Sequence, residues 1–204
     1  MLKESLLAAA MAFPAWHGDQ ESTEDREVRL NVIAQAIDEA VAIATCRNEN
    51  SSRERSPSQA SSESKDDAEK SESQTCKRFW HGTPRELGFL LLGQAFFETR
   101  LALHVHAGQC RVEIGECDGG RAISLWQLHH GYHLPVERWR SLAGTDLEST
   151  REAAIEASRA LSRGRNFCKG SLEGAVANYA TGKSCQWKGA AKRVRFVRRM
   201  LSKY

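Results

Sequence analysis

The chain has 204 residues, 41% hydrophobic and 27% charged, enough to bury one substantial core and carry an appendage. Its net charge of +3 is too mild to imply nucleic-acid binding. No stretch approaches the run of about 20 apolar residues that a membrane-spanning helix needs. The opening residues, MLKESLLAAAMAFPAW, hold only a short apolar run, and Glu4 spoils a basic leader, so they read as a helix of the mature protein rather than a signal peptide. Ser22 and Thr23 then precede an acidic first turn. Leu30, Ile33, Ala34, Ile37, Val41 and Ala44 recur at helical spacing, which predicts an amphipathic core helix from about 24 to 45.

Residues 47–75 change character to a Ser-rich, mixed-charge tract whose only apolar residues are two alanines. Such a tract buries too little to offset its ordering entropy and predicts a disordered insertion. Cys46 and Cys76 bracket it. Six cysteines permit fifteen pairings, and local spacing suggests Cys46 with Cys76, Cys110 with Cys117, and Cys168 with Cys185. Bridges of this kind imply work outside the reducing cytosol.

The stretch TPRELGFLLLGQAFFET, 83–99, predicts the helix around which the rest is organised. Thr83 can cap it, Pro84 suits the first helical position, and Glu86 would complete a capping box. Leu87, Phe89–Leu92 and Ala95–Phe97 leave no polar face, so the helix is buried on most sides. Glu98 stands alone as a carboxyl at its far end. Ionising such a group costs desolvation energy, which favours the protonated acid that proton donation near neutral pH needs; the plainer expectation is a Glu that escapes into water.

Residues 104–120, glycine-containing with two cysteines, read as loop with room for a short hairpin. RAISLWQLHHGYH, 121–133, permits either a brief strand or a helical turn from Leu125. Asp146 or Ser149 then starts a helix with Ala154, Ala157, Ser158 and Leu161 on one face, and another spans about 171–180, ending at Gly182. Residues 184–204 read as a basic amphipathic helix with Ala190, Val194, Val197 and Leu201 on one stripe. Its basic face suits either plain solvation over a core-docked helix or contact with an anionic envelope polymer. The expected class is mainly α, a helical bundle around a buried central helix with a small loop or hairpin region.

Three pieces in order resemble the lysozyme-like superfamily, in particular soluble lytic transglycosylases and goose-type lysozymes. They are Glu98-Thr99 after the apolar helix, Ser124-Leu125-Trp126-Gln127, and Tyr179-Ala180-Thr181-Gly182. The family carries Glu-Ser, Gly-Leu-Met-Gln and Ala-Tyr-Asn-Ala-Gly at these places. Thr99, Trp126 and Ala180-Thr181 depart from that pattern. The resemblance covers about residues 84–183 and implies one α+β lysozyme-like domain over 1–204, with 47–75 as an insertion.

It also implies cleavage of the β-1,4 bond between N-acetylmuramic acid and N-acetylglucosamine in peptidoglycan. Glu98 would be the acid and then the base toward the sugar's own C6 hydroxyl, giving a 1,6-anhydro product without a second carboxylate. An inverting hydrolase would need a second carboxylate to activate water. Asp118 is the first candidate, although beside Gly119-Gly120 it is also a turn former; Glu113 and Glu116 come after it. Thr99, Ser124, Gln127, His129 and Tyr179 would contact or orient substrate, and Trp126 would offer a flat face to a sugar ring or pack in the core.

His104, His106, His129, His130 and His133 form no clear ligand quartet, so no metal and no cofactor is expected. The implied partners are glycan strands, anionic envelope polymers along the basic helix and other virion proteins, but not nucleic acid. The implied location is extracytoplasmic, reached without a clear signal peptide by lysis or on a phage particle.

Overall fold

The computed structural model describes residues 1–47, 76–131 and 134–204. The expected insertion at 47–75 falls, apart from Arg47, outside the described residues, as does His133. The described residues are mainly helical, with one two-stranded hairpin among them. The chain runs through α1 (Leu2–Met11), α2 (Thr23–Thr45), α3 (Pro84–Thr99), α4 (Leu103–His106), α5 (Glu116–Gly120), β1 (Ala122–Ile123), β2 (Leu128–His129), α6 (Val136–Trp139), α7 (Leu147–Phe167), α8 (Leu172–Thr181) and α9 (Ala190–Lys203).

The long helices begin where side chains can take up orphan amide groups. Ser22 accepts from Asp25 N at 3.0 Å, Thr83 from Glu86 N at 3.0 Å, Asp146 from Ser149 N at 2.8 Å and Ser171 from Gly174 N at 3.0 Å. Asp146 rather than Ser149 therefore starts α7. The cap at α3 is only half of the expected box, because the Glu86 carboxylate turns to the Arg165 guanidinium at 2.9 Å. α2 and α3 end on residues in the left-handed region, Cys46 and Arg100, and α8 ends on Gly182 at φ +80°.

Every residue of α3 from Leu87 to Phe96 is buried. The helix sits among α1, α2, α7 and α9, while α2 packs along α7, and α7 along α8. α1 belongs to this core through Leu6, Ala9 and Ala10. α9 docks on Ala190, Val194, Val197 and Met200; Leu201, expected on that stripe, is only half-buried.

Gly93 permits the close approach of α9 to α3, since a Cβ there would stand 2.9 Å from Val197 Cγ2. Gly93→Ala is expected to cost about 1–2 kcal/mol in a urea titration, because overpacking outweighs the helix preference for alanine.

All three cysteine pairs suggested by spacing form disulfides. The bridges fit an oxidising compartment outside the cytosol. Among the described residues no helix is long and apolar enough to cross a membrane.

Residues 103–120 form no hairpin. They make α4, a 3₁₀ turn at Val112–Ile114 and α5, whose Cys117, Asp118 and Gly119 all have positive φ. The hairpin follows at β1 and β2, in the register Ala122↔His129 and Ile123↔Leu128, and its turn is the SLWQ segment. No helix starts at Leu125.

Candidate active site

The end of α3, the SLWQ turn and the end of α8 meet at one hollow of about 260 Å³. Glu98, Gln127, His129, Tyr179, Ala180, Thr181 and Gly182 line it. Two further hollows share lining residues with it. One of about 670 Å³ shares Glu98 and Gln127 and extends past Thr99, Trp16, His104, Glu116 and Asp118. The other, about 390 Å³, shares Tyr179 and Gly182 and extends past Arg163, Phe167 and Lys183. The three hollows share residues in turn, and Glu98 lines two of them as part of the groove they make up.

The turn explains how neighbours in sequence part company. Ser124 and Gln127 have φ of +65° and +49°, a conformation unusual for residues with a Cβ. With the chain reversed between them, Leu125 and Trp126 enter the core and Gln127 faces the groove. The expectation that Trp126 meets a sugar ring is therefore corrected. It is fully buried, and its Nε1 donates to Leu91 O at 3.0 Å on α3. Ser124 is also buried, its hydroxyl accepting from Trp126 N at 3.3 Å, so it holds the turn rather than substrate.

Thr99 borders the groove, but its hydroxyl donates to Ala95 O at 2.9 Å and lies 3.3 Å from Leu125 O, fastening the turn to α3. Gln127 spends its amide N–H groups on Ser124 O at 3.1 Å and Cys117 Sγ at 3.4 Å. Tyr179 donates its hydroxyl to Trp126 O at 2.6 Å. Burial first, and the Glu98 charge second, push the Tyr179 phenol well above its ordinary value, so it stays a donor. Much of the hydrogen bonding at the predicted motifs thus locks α3, the hairpin and α8 together, and by doing so sets the wall of the groove.

Glu98 is 21% exposed at the groove and does not stand alone. Its Oε1 is ion-paired with Arg193 Nη1 of α9, a guanidinium only 12% exposed. Arg193 also donates to Gln94 Oε1 at 3.2 Å and lies over the rings of Trp187 at 4.9 Å and Phe97 at 5.3 Å. The uncompensated carboxyl expected from α3 alone is replaced by a charge-assisted pair held between aromatic faces.

Sequence reading missed this residue, though a signal was present. Arg193 is three residues past Ala190 and four before Val197, a charge on the apolar stripe of α9.

Asp118 lines the same hollow as Glu98 but is 48% exposed, 3.0 Å from Arg121 Nη2 and 3.7 Å from His129 Nδ1. The Cys110–Cys117 bridge adjoins its left-handed turn. It is both the turn residue and a groove carboxylate. Glu116 is engaged elsewhere: the Arg111 guanidinium holds its carboxyl down at about 2, and it also takes His104 Nε2 at 3.0 Å. His104 Nδ1 in turn meets Asp19 Oδ1 at 3.3 Å. Among the described residues no group of three or more His, Cys, Asp or Glu is arranged to hold a metal ion.

No protein-family model, curated protein or solved structure matches this chain.

Proposed function

We propose that the chain is a peptidoglycan-cleaving glycosidase of the lysozyme-like kind, acting as a lytic transglycosylase with Glu98 as its single acid and base. The observation that carries this reading is the convergence of Glu98 from α3, Gln127 and His129 from the hairpin and Tyr179 from α8 on one hollow. An open groove suits a polymer, and a carboxyl on its wall suits protonation of a bridging oxygen.

In this mechanism protonated Glu98 gives its proton to the glycosidic oxygen as the C1–O bond breaks. The C6 hydroxyl of the same muramyl residue bonds to C1 and returns its proton to Glu98, leaving a 1,6-anhydro end. Tyr179 and Gln127 fix the wall beside the acid. Asp118, which lines a hollow shared with Glu98, would be the carboxylate to activate water if hydrolysis with inversion occurs instead.

One observation favours a second reading, a lysozyme-like module that binds glycan without cutting it. The Glu98 carboxyl is already engaged by the Arg193 guanidinium rather than left open to a substrate oxygen. Digestion of purified walls followed by mass spectrometry of the soluble products separates these readings. Anhydro ends are expected; reducing ends would replace the transglycosylase by a hydrolase, and no released sugar would leave the binding module.

A further inference from the structure

We propose that the outward face of α9 docks a phosphodiester polymer attached to the wall glycan, an inference that rests on the glycan-directed reading above. Residues 183–204 carry eight Lys and Arg and no acid. α9 spends its apolar stripe on the core and turns Arg193 inward to Glu98. The remaining basic residues of the helix, Lys192, Arg195, Arg198, Arg199 and Lys203, are all exposed on the opposite arc. Among the described residues none of the five forms an ion pair.

Several of them are helical neighbours: Lys192 with Arg195, Arg195 with Arg198 and Arg199, and Arg199 with Lys203. Like charges at these spacings repel. Five cations along a helix about 21 Å long therefore make a row that is uncompensated within the fold.

The chemistry of the row selects the partner. A helix that lies in a bilayer surface must bury its apolar face in lipid, and here that face is already committed to the core. None of the exposed large apolar side chains lies on α9. Three of the five cations are arginines, whose planar forks pair with phosphate oxygens, and a linear polyanion can meet a linear row of charges. α9 packs on α3, and its Arg193 is ion-paired with the groove residue Glu98, so the helix that carries the row adjoins the helix that carries the groove carboxyl.

The test uses the full chain and two wall preparations, one carrying its phosphodiester polymer and one stripped by hydrofluoric acid. Wild type and Lys192→Gln/Arg195→Gln/Arg199→Gln are sedimented with each at 4 °C over a salt series. At 0.1 M salt we expect stripping and the triple substitution each to weaken binding about tenfold or more. The wild-type slope of log K against log salt should be about −3.5, reduced in magnitude by about 2 in the variant. Matching melting temperatures would show that the variant is folded.

Undiminished binding by the variant, or to stripped walls, would overturn the proposal. So would stronger binding to vesicles containing one-third phosphatidylglycerol than to intact walls. Sugar release is read separately. A protein that digests walls but binds stripped ones equally well fails only the α9 inference. One that binds through α9 yet releases no sugar from either preparation fails the glycosidase reading.

Discussion

Glu98→Gln is expected to reduce sugar release from purified walls by about 10³-fold or more, since one group is asked to serve as both acid and base and each role is worth about 10² to 10⁴. The substitution keeps the side chain's shape and a carbonyl oxygen that can still accept from Arg193, but it removes the transferable proton. The ion pair is partly buried, with Glu98 21% and Arg193 12% exposed, so a loss of about 1–3 kcal/mol of stability is expected, and circular dichroism should still show a folded protein. Lysis by folded Glu98→Gln at near the wild-type rate would remove Glu98 from the chemistry.

Asp118→Asn sharpens the result. If the C6 hydroxyl is the acceptor, the loss should stay under about tenfold. If Asp118 activates water, it should approach the loss at Glu98.

Sequence legibility followed the range of the physics involved. The helices α2, α3, α7 and α8 were readable because caps and apolar spacing act within a few residues, as Ser22, Thr83, Asp146 and Ser171 show in their bonds to amides three positions on. The disulfides were readable because the paired cysteines are near neighbours along the chain, 30, 7 and 17 residues apart. In the SLWQ turn, left-handed Ser124 and Gln127 decide which way Trp126 faces, and neither residue type announces a positive φ. Trp126 could therefore be assigned to a sugar ring when it belongs to the core.

The pairing of Arg193 with Glu98 joins residues 95 positions apart and depends on how α9 docks. Only its placement on the apolar stripe hinted at it. Glu86 illustrates the same limit on a smaller scale, since the distant Arg165 took the carboxylate that a local rule had assigned to the helix start.

A second large effect is expected in acid, and it centres on His106 rather than on the groove. His106 is almost fully buried, and its Nε2 lies 2.9 Å from Thr150 Oγ1. The Thr150 hydroxyl donates to Asp146 O at 2.6 Å, so it accepts from Nε2–H, and Nδ1 carries the lone pair with no partner among the described residues. Protonating Nδ1 would bury a new donor and a charge with no acceptor.

Burial first, then the nearby Arg29 charge, therefore lowers the imidazole to about 3, with Asp146 opposing weakly. In the unfolded chain His106 titrates near 6.5. Between these values the unfolded state holds a proton that the folded state does not, so stability rises with pH in this window. Its full value is present above about pH 6.5 and falls toward pH 3 by about 1.4 kcal/mol per unit, on the order of 5 kcal/mol in all.

Glu116 acts in the same direction in a lower window. Its carboxyl, held at about 2 against an ordinary 4.5, withdraws its contribution only as pH falls below 4.5. The interval from pH 6.5 to 4.5 therefore isolates the histidine from Glu116. Urea titrations there should show the slope in wild type and its loss in His106→Gln, whose neutral amide has no proton to gain. A wild-type stability flat across that interval, or an equal slope in the variant, would rule out His106 as the source of acid sensitivity.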